Sequence, residues 1–165
     1  MERGVAASMR ANLNEIADPR NLDGAVEEVF RTMLGTDCRR DGDALADERE
    51  WVTAVVGFGG LLSGACVLRC GGRTACVLAE RMMGAPFAEI DGTVKDAAGE
   101  ICNMLAGSWK GKSPELAARC GLSVPAVITG CDYRLHVQAP EFRLQHVYVF
   151  DGTRFEVTIL CDGLK

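Results

Sequence analysis

Apolar positions recur at helical spacing from residue 21 onward. Leu22, Val26, Val29, Phe30, Met33 and Leu34 fall on one side, and Gly35 supplies a stop, so a first helix is predicted. The following TDCRRDGDALADERE mixes both charge signs densely and reads as a solvated connector. Two apolar runs, residues 51–58 and 61–69, flank Gly59-Gly60 and predict a hairpin of buried strands. Gly71-Gly72 marks a turn into a second helix, TACVLAERMMG, which stops at Gly84. Asp91 or Thr93 can cap a third, long helix running to about Gly107 and restarting after Pro114. Beyond Gly121 the period shortens, and LSVPAVITG, CDYRLHVQA, FRLQHVYVF and TRFEVTILCD read as strands. The last two meet at Asp151-Gly152, a tight-turn pair. His136 and His146 alternate with apolar neighbours there and read as ordinary sheet residues. This order predicts an α+β (mixed α/β) domain over residues 21–165, a largely antiparallel sheet with long helices packed on it. Residues 1–20 stand apart as an N-terminal segment with room for a short helix.

Composition narrows the class. A chain of 165 residues can bury a single core. With 48% hydrophobic and 25% charged residues, it is neither disordered nor fibrous in type. Its net charge of −5 argues against a nucleic-acid binder that works through a basic patch. The 17-residue uncharged run at 52–68 meets the lower limit for a membrane span, but four glycines and the hairpin signal make it two strands, so no membrane segment is expected. The eight cysteines include no CxxC pair, the two histidines are not spaced to join them, and no secretory signal is read. They read as buried thiols of a cytoplasmic protein, with no metal site and no cofactor held by the chain.

The third helix carries the candidate chemistry. At about 100° per residue, Asp96, Glu100, Asn103 and Gly107 gather on one face while Val94, Ala98, Ile101 and Leu105 form the core stripe opposite. A polar outer face usually means solubility only. Here, however, Asp96 and Glu100 are like charges at i,i+4, and Gly99 weakens the helix by roughly 1 kcal/mol relative to alanine. With Gly107 it strips bulk from beside the stripe, as a closely approached surface requires. A carboxamide is neither acid nor base, but it can hold a water through donor and acceptor together. That suits hydrolysis of an already reactive phosphoryl group, where positioning and electrostatics dominate. The neighbouring GSWKGKS is no phosphate loop: three residues, not four, precede Gly111-Lys112-Ser113, a helix comes before it and Pro114 after it.

Asp96-x3-Glu100-x2-Asn103, with Pro125 after 21 intervening residues, resembles the signature of the CheC/CheX/FliY chemotaxis phosphatases. GFGGLLSGACVL followed by ACVLAERMMG resembles their strand-pair-then-helix segment. The resemblance implies hydrolysis of the aspartyl phosphate of a CheY-like response-regulator receiver. Asn103 would orient the attacking water, Glu100 would pair with the receiver's active-site lysine, and Asp96 would support them. Pro125 would shape the fold. Magnesium would belong to the receiver. Gly99, Gly107, Lys110 and Lys112 are the candidates for partner contact, although Trp109, Lys110 and Lys112 also read as a solvated loop with one packed tryptophan. Asp23-x3-Glu27-x2-Phe30 repeats the spacing with phenylalanine in place of asparagine, so an internal repeat would keep one working copy. A single site is similar to the CheX type, which implies a homodimer joined through its sheet. A non-catalytic dimeric adaptor of the same fold is the alternative.

Overall fold

The computed structural model describes residues 12–138 and 140–164. Residues 12–16 of the N-terminal segment are helical, and its residues 1–11 lie outside the described residues. Helix α1 (Pro19–Val29) starts on Asp18, whose side chain accepts from the Arg20 amide, and continues through a π-helical turn (Phe30–Leu34). Gly35, at φ 62°, ends it in the left-handed conformation that favours glycine. Strands β1 (Arg39–Asp41), β2 (Trp51–Gly60) and β3 (Leu62–Gly71) lead into helix α2 (Gly72–Met83). Helix α3 (Gly92–Gly111) is capped by Asp91, which accepts from the Val94 amide at 2.9 Å. The short α4 (Pro114–Arg119), then β4 (Cys120–Leu122), β5 (Ala126–Gly130), β6 (Phe142–Phe150) and β7 (Thr153–Leu164) complete the described chain. Asp151 and Gly152 both take positive φ in the β6–β7 turn, as the tight-turn pair predicts.

The strands form one seven-stranded sheet in the order β1-β6-β7-β3-β2-β4, with β5 also on β2, and every pairing is antiparallel. Alternate residues of β6 and β7, among them Leu144, Tyr148, Phe150, Phe155, Val157 and Ile159, enter a core roofed by α1, α2 and α3. Phe30 is fully buried there, stacked on Phe155 with ring centroids 4.9 Å apart. Trp109 is also buried, 5.3 Å from Phe58, and pins the C-terminal half of α3.

The topology repeats. The hairpins β2–β3 and β6–β7 meet at the β3–β7 pair, α1 precedes the first half, and α3 precedes the second. Each half sends its edge strand to the other: β1 pairs with β6, while β4 and β5 pair with β2. The expected internal repeat is therefore present in the architecture, and α1 with its Asp23-Glu27-Phe30 spacing stands where α3 stands in the second half.

Three expectations need correction. The charged connector contains β1, held by Asp41 accepting from Arg154 across the sheet. CDYRLHVQA is no strand: Gly130 and Asp132, at φ 157° and 53°, turn the chain off the sheet, so His136 is exposed in an irregular segment. Helix α3 runs past Gly107 to Gly111, which places Trp109 and Lys110 on the helix and not in a loop. Among the described residues, no helix is long and apolar enough to cross a membrane.

Candidate active site

Helix α3 lies against β2 and β3 along one side and α1 along another. Val94, Ala98, Ile101, Cys102 and Leu105 fill the buried side, which leaves Asp96 and Glu100 exposed and Asn103 half-buried on the outer face. Among the described residues, none of these three side chains makes a hydrogen bond or ion pair. Their donors and acceptors remain available on a helix whose other side is fixed.

Gly99 does not belong to that open surface. It is buried, and a Cβ placed there would lie 3.2 Å from Pro125 Cβ and 3.3 Å from Val127 Cγ2. The missing side chain lets β5 and the turn before it close onto α3. Pro125 thus acts on the fold beside Glu100, and the bulk removed at Gly99 serves packing within the chain. Gly107 is more open, with only Leu122 Cδ1 near its imaginary Cβ, at 3.9 Å.

The two lysines have internal partners. Lys110 Nζ donates to the carbonyls of Ala117 and Cys120, closing the end of α4. Lys112 Nζ lies 2.7 Å from Glu28 Oε2 on α1, and Ser108 Oγ donates to the same oxygen at 2.9 Å. These bonds, chiefly the one from Lys112, hold the Glu28 carboxyl below its ordinary range. Both ammonium groups are thus engaged within the chain. They brace α3 at its C-terminal end.

Between α1 and α3 runs an open groove of about 520 Å³ with Asn103 and Gly107 on one wall. Met33, 58% exposed, and Thr32 stand on the opposite wall, with Met104 and Leu122 at its base. The Asn103 carboxamide therefore sits at the rim of a concave, partly apolar surface. In the sequence Met33 falls on the apolar stripe of α1, and nothing local marks it as a groove residue.

On the corresponding face of α1, Glu27 is exposed but the other two positions are engaged within the fold. Phe30 is in the core, and Asp23 Oδ1 accepts from the Tyr148 hydroxyl at 2.7 Å and lies 3.0 Å from His146 Nδ1. Burial, reinforced by the Asp23 carboxylate, pushes the Tyr148 phenol well above its ordinary range. This cluster was also missed, although His146 and Tyr148 at i,i+2 share one strand face and Asp23 repeats the position of Asp96. Among the described residues, no three His, Cys, Asp or Glu side chains come together to hold a metal ion.

The family described as chemotaxis phosphatase CheX matches residues 52–147. The CheY-P phosphatase CheX of Thermotoga maritima is 26% identical over 118 residues, covering 69% of this chain and 76% of that protein. Among solved structures, chemotaxis protein CheX from Vibrio vulnificus superposes with a TM-score of 0.73 at 18% identity, covering 89% of this chain and 96% of the other. The CheX of the CheX–CheY–BeF3–Mg2+ complex from Borrelia burgdorferi gives 0.65 at 19% identity, covering 86% and 96%.

Proposed function

Because this chain belongs to the chemotaxis phosphatase CheX family, we propose that it hydrolyses the aspartyl phosphate of a CheY-like receiver domain. One observation carries the reading: Glu100 and Asn103 present free polar groups on a braced helix, while on α1 the position equivalent to Asn103 is the buried Phe30 and Asp23 is bonded to Tyr148. The Borrelia burgdorferi relative was solved with CheY, BeF3 and Mg2+, which supports a receiver as partner.

In this mechanism α3 enters the receiver's phosphorylated pocket. Glu100 pairs with the receiver lysine and fixes the helix register. Asn103 Oδ1 accepts a hydrogen bond from a water and holds it in line with phosphorus. The water oxygen forms a bond to phosphorus as the bond to the aspartyl oxygen breaks, releasing inorganic phosphate and the receiver carboxylate. The magnesium ion would be held by the receiver and not by this chain, and would supply charge neutralisation at the phosphoryl group. Asn103 supplies orientation, worth several kcal/mol where a water must otherwise find its own alignment. Asp96 keeps the entrance acidic next to the lysine. The reaction takes place in the cytoplasm, on a homodimer joined through sheet edges. Edge strand β5, with Ile128 at 44% exposure, supports that arrangement.

The test follows decay of phosphorylated receivers from the same genome with catalytic amounts of this protein. Asn103→Ala should lower kcat by about a hundredfold with binding retained. Glu100→Ala should act mainly on KM, by about tenfold. Receivers that bind with unchanged decay would instead identify a non-catalytic adaptor. Light scattering of the same sample reads the dimer.

A further inference from the structure

The helix-free face of the sheet is not bare. A cavity of about 660 Å³ lies on it, floored by β2, β3, β6 and β7 and walled by residues 44–47 and the irregular segment 132–137. Its floor is covered over β2, β3 and β7, where Thr53, Val67, Thr158 and Leu160 are each at most 6% exposed, and opens over β6, where Arg143 and Gln145 are exposed. The covering segment is fastened by Tyr133, whose hydroxyl lies 2.7 Å from Thr53 Oγ1 and donates to the Ile128 carbonyl at 3.3 Å. This volume falls in the range of small-molecule sites.

Its charges are arranged unusually. Arg69 and Glu156 are direct cross-strand partners on β3 and β7, a position where opposite charges ordinarily pair. Here the Arg69 guanidinium turns aside and lies 3.8 Å over the Trp51 ring. Glu156 is left with no ion pair among the described residues, and so is Arg143 on β6. Arg134, Asp47 and Asp132 of the walls are likewise unpaired among the described residues, so both signs line one cavity without neutralising each other. A purely anionic ligand would leave Glu156 opposed, and a purely cationic one would leave the arginines opposed. Leu135, Val137 and Leu160 add an apolar patch to the same cavity.

From this juxtaposition we infer that the cavity binds a small zwitterion of the amino-acid type, a free amino acid or a dipeptide. Its ammonium sits on Glu156, its carboxylate on Arg143 and the outer edge of Arg69, and its side chain lies against Leu135 and Val137. This site faces away from α3 and stands independently of the receiver reading.

The test is calorimetric titration of the intact protein with each of the twenty amino acids and with alanyl-alanine, up to about 10 mM, beside primary amines without a carboxylate and dicarboxylates without an amine. Saturable binding is expected for one or more zwitterions, with neither single-charge set matching it. Glu156→Gln and Arg143→Gln should each weaken that binding about tenfold or more, because each leaves a ligand charge unpaired. Circular dichroism melts of both variants establish that they fold. Tyr133→Phe, which keeps the ring and drops the anchor to Thr53, should weaken binding less than either. The inference is overturned if no zwitterion binds, or if dicarboxylates bind equally well and Glu156→Gln leaves the affinity unchanged.

Discussion

Replacing Gly99 by alanine measures how α3 is seated. In an isolated helix the change is favourable by about 1 kcal/mol. In this fold the new Cβ would meet Pro125 Cβ at 3.2 Å and Val127 Cγ2 at 3.3 Å, both tighter than ordinary contact. Neither neighbour can swing away: one belongs to a ring fused to the backbone, and the other is β-branched on a strand paired to β2. Overpacking of this kind costs about 1–3 kcal/mol, so the helix preference offsets only the lower end and about 1 kcal/mol of net destabilisation remains. For a domain of this size that lowers Tm by about 2–4 °C in a far-UV circular dichroism melt. Gly99→Val adds two methyl groups to the same gap and should fall further on the same assay. Relief by displacement of α3 would move Glu100, the next residue, so the KM of the proposed receiver hydrolysis should rise with the alanine variant as well. A rise in Tm for Gly99→Ala would refute the reasoning, since the glycine would then serve no close approach.

Other outcomes follow from the same coordinates. Phe30→Asn, which formally restores the motif on α1, should destabilise by about 3–5 kcal/mol and create no second site, because it replaces a fully buried ring stacked on Phe155; a folded variant with raised turnover would contradict this. Lys112→Ala should cost no more than about 1 kcal/mol, since the pair with Glu28 is 32% and 55% exposed, and the deficit in the urea midpoint should shrink in high salt. Burial pushes the Cys38 and Cys70 thiols up to about 12, against about 8.5 when unfolded. The unfolded chain therefore ionises first, so stability is intact below about pH 8.5 and declines as pH rises from there toward 12. Under reducing conditions the urea midpoint should be lower at about pH 9.5 than at about pH 7.5, and an unchanged midpoint would remove the thiols from the account.

The helices were legible because their periodicity and stops act locally. Gly35 and Gly84 end α1 and α2 as their spacing predicts, and Asp91 caps α3. The polar stripe was legible for the same reason, since Asp96, Glu100 and Asn103 share a face whatever the rest of the chain does. What each neighbour does was not, because that depends on contacts far away in sequence. Gly99 reads as open surface until β5 is laid over it, and Lys112 reads as free until α1 brings Glu28 beside it. CDYRLHVQA has a strand's alternation, but no sheet edge receives it, and Tyr133 fastens it over the sheet face. Met33 fits the apolar stripe of α1, yet the π-helical turn carries it outward to the groove.

The exchange of edge strands between the two halves bears on how the chain is made. During synthesis α1, β1, β2 and β3 emerge first, but β1 has no neighbour until β6 follows, and β3 none on its open side until β7 appears. The leading half therefore leaves the ribosome as a hairpin with an exposed edge and an unroofed apolar face, the kind of species that chaperones hold. Separated from the other, each half would lose the edge strand it receives. Among the described strands β7 comes last, and because it pairs with β6 of its own half and β3 of the other, its docking joins the two halves into one sheet.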